Sequence, residues 1–216
     1  MGAWFLEVQA RIVLDLVSPW PGAAVLDVGG GHAQLALPLV EAGYDVTVQG
    51  SAESCRERVR GLVDAGRARF TTGALARLPW PDRSFDVVLA FRLLPHLSGW
   101  RDVIGELCRL ARRAVIVDYP TLRSVNAVSG ALFGLKKGVE GDTRPFLVFR
   151  DREIEDAFRS GGLSVAARRG EFVLPMALHR ALGVVSLSRG LESAGAALGL
   201  RQAFGSPVIL RAERHA

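Results

Sequence analysis

Three consecutive glycines, Gly29, Gly30 and Gly31, stand between a short apolar run and the start of a helical pattern. Val25, Leu26 and Val28 before them read as a buried strand, and Asp27 lies near its end. Leu35, Leu37, Leu39 and Val40 after them carry a helix that Ala42-Gly43 ends. A glycine cluster can merely turn the chain. Between a strand and a helix it does more, because residues without a Cβ let a ligand lie against bare backbone, and the free N–H groups of the helix start favour a carboxylate or phosphate. Two histidines, His96 and His179, are candidates for moving a proton, since imidazole titrates near pH ~6.5. Asp118 and Tyr119 close another apolar run and are candidates to position a second ligand, His179-Arg180 to bind an anionic one. Each has a plainer alternative: a cap or loop contact for His96, a turn for Asp118-Tyr119, a surface or cap for His179-Arg180.

The elements that must hold these residues follow from periodicity. Apolar positions at helical spacing over residues 3–17 predict a leading helix, stopped by Ser18-Pro19-Trp20-Pro21-Gly22. Its expected role is packing on a sheet; covering a ligand mouth is the other possibility. Strands are predicted over residues 44–49, 68–72, 85–91, 113–118 and 161–169, with a last one over 206–212. Apart from Asp86, residues 85–91 are apolar, as a strand buried on both faces should be, so Ala90 and Phe91 at its end should face a ligand crevice. Helices are expected over 52–65, 102–110 and 150–159, and residues 172–200 supply further apolar helical material.

Composition narrows the function. At 216 residues with 49% hydrophobic content, the chain suits a single domain with one core. No run of eighteen residues free of charges and helix breakers suggests a membrane span, and neither a secretion nor a myristoylation signal is read at Met1–Leu6. The cytoplasm is the expected location. The 27 Lys and Arg, a net charge of +5, are scattered rather than massed, so no dedicated nucleic-acid stripe is visible. Cys55 and Cys108 lie far apart without a CxxC, which supports neither a disulfide framework nor a zinc site, and no metal is expected.

Spacing then separates possible cofactors. A Gly-x-Gly-x-x-Gly turn beginning at Gly29 and Gly31 would need a third glycine at 34, where the chain has Gln34, so a nicotinamide dinucleotide is not supported. Asp27-x-Gly29-x-Gly31 instead resembles the first motif of the class I S-adenosylmethionine-dependent methyltransferases. Residues 73–86, GALARLPWPDRSFD, are similar to that family's Gly-Asp-Ala-x-x-Leu-Pro-Phe-x-Asp-x-Ser-Phe-Asp stretch. The resemblance runs from Ala23 to about Arg169.

The resemblance implies an α/β, doubly wound, seven-stranded and mostly parallel Rossmann-like sheet with its last strand antiparallel. It also implies a helical cap over residues 121–148, read here as a lid that selects the substrate. S-adenosylmethionine would be the cofactor, with Asp27, Gly29, Gly30 and Gly31 at its methionine part. Where the family carries an acid for the ribose, this chain has Gln49, Gly50 and Ser51, with Glu53 able to reach back. Where the family carries an adenine-binding Asp, it has Ala74, leaving the N–H of Leu75. The implied function is methyl transfer to a small, hydrophobic acceptor, one bearing an acidic group if the basic character of the cap is used. The missing acids keep two alternatives open: a non-catalytic or regulatory relative with weakened cofactor binding, and an enzyme of this fold with another ligand or reaction.

Overall fold

In the computed structural model, which describes residues 2–30, 34–124 and 146–215, seven strands form one sheet in the order β3-β2-β1-β4-β5-β7-β6. They are β1 (Ala24–Val28), β2 (Asp45–Gly50), β3 (Ala68–Thr72), β4 (Phe85–Ala90), β5 (Ala111–Tyr119), β6 (Leu163–Phe172) and β7 (Ser206–Arg214). The first five run parallel, and β7 pairs antiparallel with both β5 and β6. This is the expected doubly wound α/β fold. The chain leaves β1 for β2 on one side and later returns to β4 on the other, so a crevice opens at the carboxyl ends of β1 and β4.

Helices cover both faces because β1, β4 and β5 are apolar on both. On one face Leu26, Val88 and Val115 pack against α4 (Trp100–Leu110) and α5 (Asp151–Ser160) through Ile104, Leu107, Ile154 and Phe158. On the other, Val25, Val87 and Ile116 meet the second half of α1 (Gly2–Val17) and α2 (Ala36–Glu41) through Val13, Leu16, Val17 and Leu39. The first half of α1 does something else. Trp4 and Phe5 pack with Phe172 in a separate aromatic cluster above the carboxyl end of the sheet, so this helix both packs and covers the crevice.

Three expectations on elements change. Residues 52–65 form a 3-10 turn, Glu53–Arg58, and a short α3 (Arg60–Asp64) instead of one helix; neither contains a buried residue, so no apolar face holds a longer one together. The sixth strand runs on to Phe172, because β7 continues to offer it partners as far as Ser206. The helical material after it is divided into α6 (Met176–Leu182), α7 (Val185–Ala197) and α8 (Leu200–Phe204), with Gly183 and Gly199 at φ +66° and +74° marking the breaks. Of the expected cap, residues 125–145 lie outside the described residues. Its two ends are tied together where Leu122 N–H donates to Phe149 O and Phe149 N–H donates to Pro120 O, both at 2.9 Å.

Candidate active site

At the first turn, Asp27 is 1% exposed and, among the described residues, neither of its carboxylate oxygens has a hydrogen-bond partner. Burial alone pushes its pKa up to about 7. Gly30 lies directly over it: a Cβ there would stand 2.3 Å from Asp27 Oδ2. Gly29 has φ +71°, which a residue with a side chain adopts only under strain. Gly31 and His32 lie outside the described residues. Here, then, is bare backbone at Gly29 and Gly30 above a buried carboxylate that has no partner among the described residues.

The next two strand ends are tied to that turn by Gln49, which is fully buried. Its side-chain carbonyl accepts the Gly29 N–H at 3.0 Å, and its amide donates to Gly50 O at 2.9 Å and Gly73 O at 2.8 Å. That use differs from the ribose contact expected of it: the amide holds β1, β2 and the segment after β3 in register. Gly50 likewise differs. A Cβ there would come within 2.9 Å of both Cys55 Cβ and Phe70 Cζ, so apolar atoms leave no room for a side chain at this position. Ser51 and Glu53 are exposed beside it, Ala74 is exposed and Leu75 half-buried. The matched stretch before β4 is anchored from below: Glu106 accepts the Leu78 N–H at 2.6 Å and pairs with Arg109 at 2.7 Å. Ala90, fully buried, stands opposite Val28 in the ladder, and Phe91 beyond it is also buried.

A second group of residues surrounds a cavity of about 400 Å³ between α1 and the carboxyl ends of β5 and β6. Phe5, Leu6, Pro95 and Phe146 give it apolar walls, and Asp118, Glu171, Arg92, Arg180 and His96 bring charge or a titratable ring. Side chains alternate across a strand, so Asp118 faces this cavity while Tyr119 points the other way. Tyr119 is completely buried and donates its hydroxyl to Asp151 at 3.2 Å; it does not line the cavity, contrary to expectation. His96 sits on the rim, its ring edge-on to Phe146 at 5.7 Å. His179 does not line the cavity at all. It is fully buried behind Phe5, with Trp4, Phe5 and Phe172 within 5.9 Å of its ring and its Nε2 3.0 Å from Glu192. One helical step places its neighbour Arg180, and not the imidazole, on the cavity wall.

Two residues at the cavity floor were not among the expected ones. Gln9 of α1 and Glu171 of β6 are 5% and 2% exposed, and Gln9 Nε2 donates to Glu171 at 2.8 Å and reaches Asp118 at 3.5 Å. Gln34 in turn donates to Gln9 at 2.6 Å and accepts from the Arg92 guanidinium at 3.3 Å. Asp118 closes the ring by accepting the Arg92 N–H at 2.5 Å, which holds Arg92 at the unusual φ of 55°. Burial raises the pKa of Asp118 to about 6, and burial with the neighbouring Asp118 charge raises that of Glu171 to about 8. A signal for Gln9 does exist in the sequence: it interrupts the apolar stripe of its helix. None marks Glu171.

A family model for a methyltransferase domain matches residues 25–114. An O-methyltransferase of Pyrenophora dematioidea is 28% identical over 106 residues, 46% of this chain and 39% of that protein. A ubiquinone biosynthesis O-methyltransferase of Sinorhizobium fredii is 26% identical over 175 residues, covering 76% of this chain and 69% of the relative. The chain thus spans less than half the length of some relatives, 39% and 42% in two cases, and more of others. In fold, it is similar to the magnesium protoporphyrin IX methyltransferase of Synechocystis PCC 6803 with bound SAH, at a TM-score of 0.67 and 20% identity over 97% of this chain and 84% of that one. Residues 25–114 thus match a methyltransferase domain, and the order and direction of the seven strands give the chain the fold of that methyltransferase structure.

Proposed function

We propose that this chain transfers a methyl group from S-adenosylmethionine to a small acceptor held in the cavity beneath α1. The observation that carries the reading is the unpartnered, buried carboxylate of Asp27 under the bare backbone of Gly30. An orphaned carboxylate costs free energy unless a cation or donor reaches it, and the cofactor's methionine part carries an ammonium. Asp27, Gly29 and Gly30, with Gly31, would hold that part. Ser51 lies where the ribose would come, Ala74 and the N–H of Leu75 where the adenine would come, and Ala90 and Phe91 at the crevice. When bound, S-adenosylmethionine supplies a methyl group already activated by its sulfonium, so alignment of the acceptor and exclusion of water are what the protein must add.

The protein's own residues suit those two tasks. Phe5, Leu6, Pro95 and Phe146 exclude water from the acceptor, and a volume of about 400 Å³ suits a small organic molecule. Arg180 on the wall is placed to take an acidic substituent, as the expected acceptor carries. His96 is a candidate proton carrier at the rim; the buried position of His179 supports a structural part for it instead. The two cysteines, both free, support a reducing, cytoplasmic setting. The segment 121–148 is proposed as the substrate-selecting cap, both of its ends being anchored beside the cavity.

Calorimetry with S-adenosylhomocysteine tests the reading. Binding by the wild-type chain, lost in Asp27→Asn with the fold retained, is expected; no binding at millimolar concentration by folded protein overturns it. A second reading, binding without turnover, draws on Gly50: with Phe70 and Cys55 against it, no acidic side chain fits at that position. It predicts binding but no methylation of any acceptor.

A further inference from the structure

The floor of the acceptor cavity holds more buried charge than packing requires. Asp118 and Glu171 come from strands that flank β7, lie on the same face of the sheet and both reach the cavity. A single amide, that of Gln9, bonds to both. Two acids placed this close and out of water do not both ionise at neutral pH; the pair titrates in two steps that belong to it jointly. A purely structural site would pair these acids with arginine. Here the guanidinium of Arg92 goes to Gln34, and only its backbone N–H meets Asp118.

Resting on the methyltransfer reading, we infer that Asp118 and Glu171 are the catalytic residues that handle the acceptor's proton, that Gln9 positions them, and that the acceptor's reacting group is a hydroxyl. In this arrangement the O–H bond of the acceptor breaks, its electron pair stays on oxygen and the proton joins the Asp118 carboxylate. Glu171, still protonated, donates to the same oxygen, so the negative charge moves from the pair to the oxygen without a change in total charge. An amine is disfavoured by the same geometry. Adjacent carboxylates would hold it as ammonium, which has no lone pair to attack with. The other groups facing the pair are Arg92 and His96 from the segment after β4 and Arg180 from α6, with neutral Gln9 from α1 and Gln34 before α2.

The test uses the full chain with S-adenosylmethionine and two probes of similar size, 4-nitrocatechol and benzylamine. Methylation of 4-nitrocatechol in preference to benzylamine is expected, with kcat bell-shaped in pH, rising near 6 and falling above 8. Asp118→Asn should lower kcat about 100-fold and leave KM within about threefold, removing the acid limb. Glu171→Gln should lower kcat about tenfold and remove the alkaline limb. Gln9→Glu should move both limbs upward, since it adds a third acid beside the pair; Gln9→Met should lower kcat without moving KM. S-adenosylhomocysteine affinity, read by calorimetry, should be unchanged in Asp118→Asn and Glu171→Gln. Preference for benzylamine, turnover of neither probe, or an unaltered pH profile in both carboxyl variants overturns the inference. Loss of S-adenosylhomocysteine binding by the wild type overturns the methyltransfer reading instead.

Discussion

On the β1–β2–β3 side of the crevice the buried polar groups among the described residues include backbone atoms, the neutral amide of Gln49 and the carboxylate of Asp27 sunk beneath the glycine turn, with Ser51 and Glu53 exposed beside them. On the β5–β6 side, two carboxyls, an amide and two arginines crowd around a cavity. On the proposed reading, the first region would fit a cofactor by leaving side chains out and the second would select an acceptor by putting them in. Gln34 joins the two, following the glycine turn in sequence and bonding to Gln9 and Arg92 of the acceptor floor. That link runs through a hydrogen-bonded ring of Gln34, Gln9, Asp118 and Arg92, closed by the Arg92 backbone N–H.

The largest effect should come from filling the space on the cofactor side. Gly30→Ala sets a Cβ 2.3 Å from Asp27 Oδ2, a contact that the buried carboxylate can relieve only by displacing the turn. S-adenosylhomocysteine binding should weaken at least about 100-fold in calorimetry, with a stability loss of ~1–3 kcal/mol. Unaltered affinity would break the comparison, because the region would then tolerate side chains. Gln49→Glu comes next. It replaces two donated hydrogen bonds by a carboxylate oxygen facing the carbonyls of Gly50 and Gly73, at a cost of ~2–3 kcal/mol in urea denaturation.

The acceptor side makes its own prediction through pH. Asp118 is raised from 3.8 to about 6 and Glu171 from 4.5 to about 8, so the folded chain binds more protons than the unfolded one between those values. Their contribution to stability is fully present below pH ~4 and is lost as pH rises through 8. The denaturation midpoint of the wild type should therefore fall from pH 5 to pH 9, with Asp27, raised to about 7, adding to the fall. Glu171→Gln, which has no proton to lose, should flatten the upper part of that curve by an amount on the order of a few kcal/mol. A wild-type profile that is flat or rising across this window would sink the assignment of two desolvated acids.

How far each side was legible in the sequence follows from the same contrast. The cofactor side is local: Asp27, Gly29 and Gly30 lie within four positions, and a strand, a turn and a helix read in order place them at one strand end. Seven strands and their boundaries to within a few residues follow from runs whose periodicity is short-range. What the sequence did not show there was the packing of Gln49 and Gly50, since only the fold brings Gly73, Cys55 and Phe70 against them. The acceptor side is non-local. Gln9 and Glu171 are 162 positions apart, and neither neighbours Asp118 in sequence. Alternation along β5 decides that Asp118 and not Tyr119 enters the cavity, and a shift of one strand position would have exchanged them.

The smallest effect is expected at a residue whose type suggests chemistry and whose place does not. His179 is fully buried among Trp4, Phe5 and Phe172, its Nδ1 has no partner, and its Nε2 meets Glu192. Glu192 in turn accepts the N–H groups of Val173 and Leu174 at 2.9 Å each, so it stays anchored when the imidazole is removed. His179→Phe keeps a ring against the aromatic cluster and loses one hydrogen bond, a change of ~1–2 kcal/mol in stability with kcat and KM within about threefold. A fall in kcat beyond about thirtyfold at an unchanged melting temperature would mean that proton transfer reaches behind Phe5. The boundary of the acceptor region would then have to be redrawn to include His179 and α7.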